Sequence, residues 1–168
     1  LREIGTIVNW TGPGPGGFYD DLGNLSCQPH LVRGPGFDQD PMFRESALMG
    51  VTVGKPGRLS STSHVLTLYE TPLTLRYPGL DPAARYRLRV VYDLPGRKKV
   101  RLVANDTHEA HPWLSREEAL RPLEFDLPPE ATAGGELTLQ WHGEPGLGGN
   151  GRGCQVAEVW VEKLRDES

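Results

Sequence analysis

Apolar and polar residues alternate with a period of two in several stretches of this chain, the mark of strands with one covered and one wetted face. Pro72 to Tyr77 puts Leu73, Leu75 and Tyr77 on one side, and Arg85 to Tyr92 sets Tyr86, Leu88, Val90 and Tyr92 against Arg85, Arg87, Arg89 and Val91. Shorter runs at Ile4–Trp10, Ser46–Val53, His64–Tyr69, Lys99–Ala104, Leu123–Leu127 and Glu136–Trp141 read as further strands. In the last, Cys154–Val161, strict alternation groups Cys154, Val156, Glu158 and Trp160 against Gln155, Ala157, Val159 and Val161. The turn Asp93–Arg97 joins two of these runs, which predicts a hairpin.

Between the runs lie most of the 21 Gly and 15 Pro, in clusters such as Thr11–Gly17 and Arg33–Gly36, through which no helix can pass. One short helix is predicted at Ser115–Leu120, with Ser115 and Glu118 placed as a capping box and Pro122 as its stop. Eight or nine short strands with almost no helix predict an all-β protein, an antiparallel β-sandwich with jelly-roll topology. A length of 168 residues predicts a single domain over 1–168. The chain begins at Leu1 without a Met, as expected of a module excised from a larger polypeptide.

Charge narrows the partners. With 18 Lys+Arg against 22 Asp+Glu the net charge is −4, the wrong sign for a phosphate backbone, so no nucleic acid is expected. No apolar run has the roughly 18 residues of a membrane span, so no membrane is expected either. The glycine-rich run 146–153 lacks the Lys-Ser/Thr and following helix of a phosphate loop, and no Gly-x-Ser-x-Gly nucleophile motif occurs. Cys27 and Cys154 allow either a disulfide or two free thiols.

The segment from Tyr77 through Leu80-Asp81-Pro82 to Tyr86-Arg87-Leu88-Arg89-Val90-Val91-Tyr92 resembles one found in malectin-like and other galactose-binding-like β-sandwich domains. Gly153–Val161 is similar to their last strand. As a whole the chain resembles terminal modules of large exported bacterial proteins joined to glycosidase-like regions, through Asn9-Trp10, Gly14–Gly23, Arg121–Asp126 and Gly146–Glu158. The resemblance implies a noncatalytic carbohydrate-binding accessory module, secreted or periplasmic, whose partners are an oligo- or polysaccharide and adjoining domains of the same polypeptide.

Sugar sites pair an aromatic face, which covers the apolar side of a pyranose, with fixed polar groups for its hydroxyls. Trp113 is the expected aromatic, in a run from Asn105 to Trp113 that does not alternate and reads as a loop. Asn105, Asp106 and His108 are the expected hydroxyl partners, with Asn150 and Arg152 converging from the 146–153 loop. Trp10, Trp141 and Trp160 lie in strand runs and are expected in the core. Structural calcium is expected at Asp20, Asp21 and Asn24, which cluster oxygens in a turn. The resemblance adds Glu158, an acid in the most apolar strand, to that set. Two rival readings remain: a structural domain packing against a catalytic neighbour, and a small metal-dependent enzyme using His108 and His111 with a third ligand, His142 or Asp106.

Overall fold

The computed structural model describes residues 12–22, 25–32, 47–49, 62–65, 72–92, 96–116, 121–145 and 154–165. Within them are ten strands: β1 (Phe18–Asp21), β2 (Ala47–Met49), β3 (Thr62–Val65), β4 (Leu73–Pro78), β5 (Tyr86–Tyr92), β6 (Gly96–Ala104), β7 (His108–Arg116), β8 (Pro122–Asp126), β9 (Glu136–Gly143) and β10 (Val156–Lys163). Two single-turn 3-10 helices, Leu25–Cys27 and Pro129–Ala131, are the only helical turns among the described residues. The strands form a six-stranded sheet, β2-β3-β10-β5-β8 with β1 also on β10, and a four-stranded sheet, β4-β9-β6-β7. Every pairing between the strands is antiparallel. The chain is therefore the all-β sandwich that its alternation predicts.

The core lies between the sheets. Leu73, Leu75 and Tyr77 of β4 and Leu137, Leu139 and Trp141 of β9 meet Tyr86, Leu88, Val90 and Tyr92 of β5, all nearly or fully shielded from solvent. Apolar positions two residues apart supply these contacts directly, and burying each large side chain contributes roughly 1.5–3 kcal/mol. From β4 onward the chain crosses to the other sheet at most connections, the winding of a jelly-roll sandwich.

That winding overturns the hairpin expected at Asp93–Arg97. β5 is flanked by β10 and β8, and β6 by β9 and β7, so the two successive strands belong to different sheets. A short polar turn makes adjacent strands close in space, but both edges of each were taken by other partners.

Two further expectations fail, the first at a bulge. In β10 the register against β5 shifts between Val156 and Glu158, which flips the faces beyond it. Val156, Val159 and Val161 consequently share the core, while Trp160 joins Tyr19, Val91 and Ala157 in a second apolar cluster. Trp141 is core as expected, Trp160 is buried in the second cluster, and Trp10 lies outside the described residues. Ser115 and Arg116 of the expected helix belong to β7, and 117–120 lie outside the described residues.

The two cysteines are unbonded. Cys27 is partly accessible, and the buried Cys154 directs its thiol at the Trp141 carbonyl at 3.5 Å.

The glycine cluster has a local reason at Gly17. Its amide closes a turn onto the Gly14 carbonyl at 3.1 Å, and a Cβ there would collide with the carbonyl oxygens of Pro13 and Val161. Only glycine lets the chain approach β10 closely enough to enter β1.

At the free side of β4 the segment His30–Val32 runs antiparallel. Arg76 N–H donates to the His30 carbonyl and Val32 N–H to the Thr74 carbonyl, each at 2.9 Å, around the bridge Leu31–Leu75.

Candidate functional site

β7 is the edge strand of the four-stranded sheet, and the chain from Asn105 to Trp113 is mostly strand rather than loop. Its alternation is hidden because β7 bulges twice against β6. Pairs Val103–Glu109, Leu102–His111 and Val100–Leu114 leave one extra residue on β7 in each interval. The second bulge holds Pro112, which has no N–H to give a ladder and is tolerated for that reason at an edge bulge. It also holds Trp113. Leu114 beside it packs on the core, so Trp113 faces outward, opposite Arg101. Its 40% exposure makes it, with Val32, one of two large apolar side chains open to solvent among the described residues.

Below the bulge a buried polar chain joins the sheets. The Trp141 indole N–H donates to the Tyr92 hydroxyl at 2.9 Å, and that hydroxyl lies 2.6 Å from His111 Nε2. His111 Nδ1 lies 2.8 Å from the Pro112 carbonyl, which only accepts, so Nδ1 carries the proton and the Tyr92 hydroxyl donates to Nε2. Burial pushes the His111 pKa down, consistent with a neutral ring. Both ring nitrogens are thus spent, and His111 is not available to the metal site suggested by His108 and His142.

The outward residues of the four-stranded sheet form a polar face beside Trp113. Register aligns Arg76 with Thr138, then Thr74, Gln140, Val103 and Glu109 across one row, then His142 and Arg101 across the next. At the usual strand spacing, four strands make the face roughly 14 Å wide. Arg101 Nε donates to Glu109 Oε2 at 2.7 Å, which neutralises both charges. The side chains of Arg76, Thr74, Gln140 and His142 make no hydrogen bond or ion pair among the described residues. The opposite sheet differs: Arg87 is paired with Asp126 and Glu124, and Arg89 with Glu162 and Glu124.

Partial burial, then the nearby Arg101 charge, hold the His142 imidazole below its usual pKa. A neutral imidazole both donates and accepts, as does the Gln140 amide, and each matches a hydroxyl in either role. Of these residues the sequence marked only His142, and as a metal ligand rather than a hydroxyl partner, because β4, β6 and β9 bring together positions with no local signature.

The expected hydroxyl partners are placed otherwise. Asn105 is consumed by the fold: its amide nitrogen donates to the carbonyls of Ala131 at 2.6 Å and Glu136 at 3.0 Å, and its Oδ1 accepts from Thr138 N–H at 2.7 Å. It sits in the left-handed region at φ 45°, followed by Asp106 at φ 60°, in the turn between β6 and β7. Asp106 is exposed in that turn and His108, the first residue of β7, is half-buried; His108 pairs Ala104, three residues along β6 from Arg101, and so lies roughly 10 Å along the strand from Trp113. Asn105, Asp106 and His108 therefore do not surround Trp113. Asn150 and Arg152 lie outside the described residues; β9 ends at Gly143, which pairs Val100 beside Leu114, so that connection leaves from the Trp113 end.

Of the expected calcium set, Asp21 and Glu158 meet across β1 and β10, whereas Asp20 faces the other way. Asp20 and Asp21 stand in β1, not a turn, and successive strand residues face opposite ways. Asp20 is fully buried, its Oδ2 2.7 Å from His30 Nδ1 and its Oδ1 accepting His30 N–H at 3.2 Å. Phe18 and Tyr77 close over this pair, and burial followed by the Asp20 charge raises the Tyr77 pKa well above normal. On the other face Asp21 is the register partner of Glu158, which accepts from the Tyr19 hydroxyl at 2.7 Å. Asn24 lies outside the described residues, and no group of three His, Cys, Asp or Glu suited to a metal occurs among the described residues.

No protein-family model matches the chain, and no curated protein matches it. Among solved structures it is similar to a GH26-CBM35 β-(1,4)-mannanase of Podospora anserina, with a TM-score of 0.49 and 9% identity over 91% of this chain and 29% of that one. It is also similar to a chain in the complex of the plant peptide RALF23 with FER and LLG2, with a TM-score of 0.49 and 16% identity over 90% of this chain and 48% of that one. This chain thus spans less than half the length of either neighbour.

Proposed function

We propose that the chain is a noncatalytic carbohydrate-binding module that takes a glycan on the outer face of its four-stranded sheet, against Trp113. The observation that carries this reading is the combination at one face of an accessible indole and polar side chains that have no partner among the described residues, Gln140 and His142 foremost. An indole covers the C–H face of a pyranose, and the amide and neutral imidazole exchange hydrogen bonds with its hydroxyls. An open sheet face buries little of its ligand, and each hydroxyl contact is offset by desolvation, so affinities from roughly micromolar to millimolar are expected. Attachment to a larger exported carbohydrate-active polypeptide belongs to the same proposal and rests on the sequence resemblance.

Affinity electrophoresis through a panel of polysaccharide gels tests it. Retardation by at least one polysaccharide is expected, abolished by Trp113→Ala and weakened roughly tenfold by Gln140→Ala, the loss of about one hydrogen bond. Retardation unchanged in both variants would overturn the placement of the site.

The same exposed Trp113 and unpartnered Arg76 also favour a second reading, because Trp and Arg are enriched where proteins meet. A domain that packs on a catalytic neighbour would ignore every polysaccharide and co-elute with that neighbour until Trp113 is removed.

A further inference from the structure

We propose that His111 is a positioning residue that holds the Pro112–Trp113 bulge in place and so presents the Trp113 indole on the rim of the polar face. Two residues at this bulge stand opposite the single residue Arg101, and one of them, Pro112, brings no N–H to the ladder. The backbone there is instead gripped by a side chain: His111 Nδ1–H donates to the Pro112 carbonyl at 2.8 Å, one peptide before Trp113. The grip is itself anchored. His111 Nε2 accepts from the Tyr92 hydroxyl at 2.6 Å, and that hydroxyl accepts from Trp141 at 2.9 Å, both from fully buried rings. Phe125 of β8 closes the remaining side of the imidazole at a ring distance of 4.6 Å. Rigid core residues of both sheets thereby fix the orientation of an exposed indole that has no hydrogen-bond partner among the described residues. The consequence for ligand binding rests on the carbohydrate reading; the consequence for Trp113 itself does not.

Fluorine NMR of the 5-fluorotryptophan-labelled chain separates the two. The Trp113 resonance is identified by its loss in Trp113→Phe, and the Trp160 resonance, from the other sheet, reports the intact fold. In His111→Leu the Trp113 signal is expected to move and broaden while that of Trp160 stays, with glycan affinity down tenfold or more. His111→Asn, whose amide nitrogen stands where Nδ1 stood, is expected to recover most of both. A Trp113 signal unchanged in a folded His111→Leu would overturn the proposal. Should His111→Leu fail to fold, Tyr92→Phe removes only the anchoring hydroxyl, and an unmoved Trp113 signal there would overturn it equally. If the unmodified chain binds no glycan, the carbohydrate reading fails while the resonances still decide the role of His111.

Discussion

Asp20 and His30 meet at the margin of the sandwich, the buried carboxylate accepting from both the ring and the backbone N–H of the histidine. Asp20 belongs to β1 in the six-stranded sheet, whereas His30 begins the segment that runs along β4 in the four-stranded one. A single carboxylate therefore ties one sheet to the covering of the other.

Asp20→Ala is expected to lose about 2 kcal/mol, because it leaves a half-buried imidazole and an amide without their acceptor. Urea unfolding measures it; a loss below about 1 kcal/mol would show that the two sheets close without this link.

Stability is expected to rise as the pH climbs toward 6.5. Burial lowers the pKa of His111 and of His142 in the folded chain below the ordinary value of 6.5, so between the folded and ordinary values the unfolded chain holds more protons than the folded one. Their contribution is complete above 6.5 and is lost as the pH falls toward the folded values. Melting temperatures recorded across this range in the unmodified chain and in His111→Asn should converge at acid pH; parallel curves would contradict the assignment.

Asn105 and Trp113 should separate fold from binding. Asn105→Ala removes three hydrogen bonds and puts a Cβ residue other than Asn at positive φ, an expected cost of about 2 kcal/mol, while leaving polysaccharide retention in the folded fraction intact. Trp113→Ala should do the reverse, with a stability change within about 0.5 kcal/mol, as for an exposed position. Calorimetric melts run beside affinity gels decide the pair.

Thiol titration should find one reactive cysteine in the native chain and two in denaturant. Cys27 is partly accessible, whereas Cys154 is 3% exposed and its thiol faces the Trp141 carbonyl. Two equally fast thiols would mean that Cys154 is not enclosed.

How far the sequence reveals this molecule depends on how regular each strand is. Tyr86, Leu88, Val90 and Tyr92 alternate without interruption, and β5 with its core face could be read directly. β7 could not, since its two bulges set Pro112 and Trp113 side by side on the exposed edge and erase the period. One extra residue at Ala157 likewise moved Trp160 away from the core side of β10. For the site, Trp113 stood out as a ring outside an alternating run, and its exposure agrees. Gln140 gave no such signal and His142 was read only as a metal ligand: polar residues at every second position merely describe a wetted face, and only the β4–β9–β6 pairing shows them beside Thr74, Arg76 and Arg101. Asn105 looked like a ligand group because a turn amide reads alike whether it serves a sugar or the backbone next to it.

The margins of the four-stranded sheet bear on how this protein behaves in a crowd. On one side the strip His30–Val32 already occupies the β4 hydrogen-bonding groups; on the other, the kinked β7 with its proline offers no straight row of donors. Among the described residues, a second copy thus finds no ready template for strand addition on either margin of this sheet. An indole can stand in the open beside such an edge without inviting the chains to zip together into aggregates.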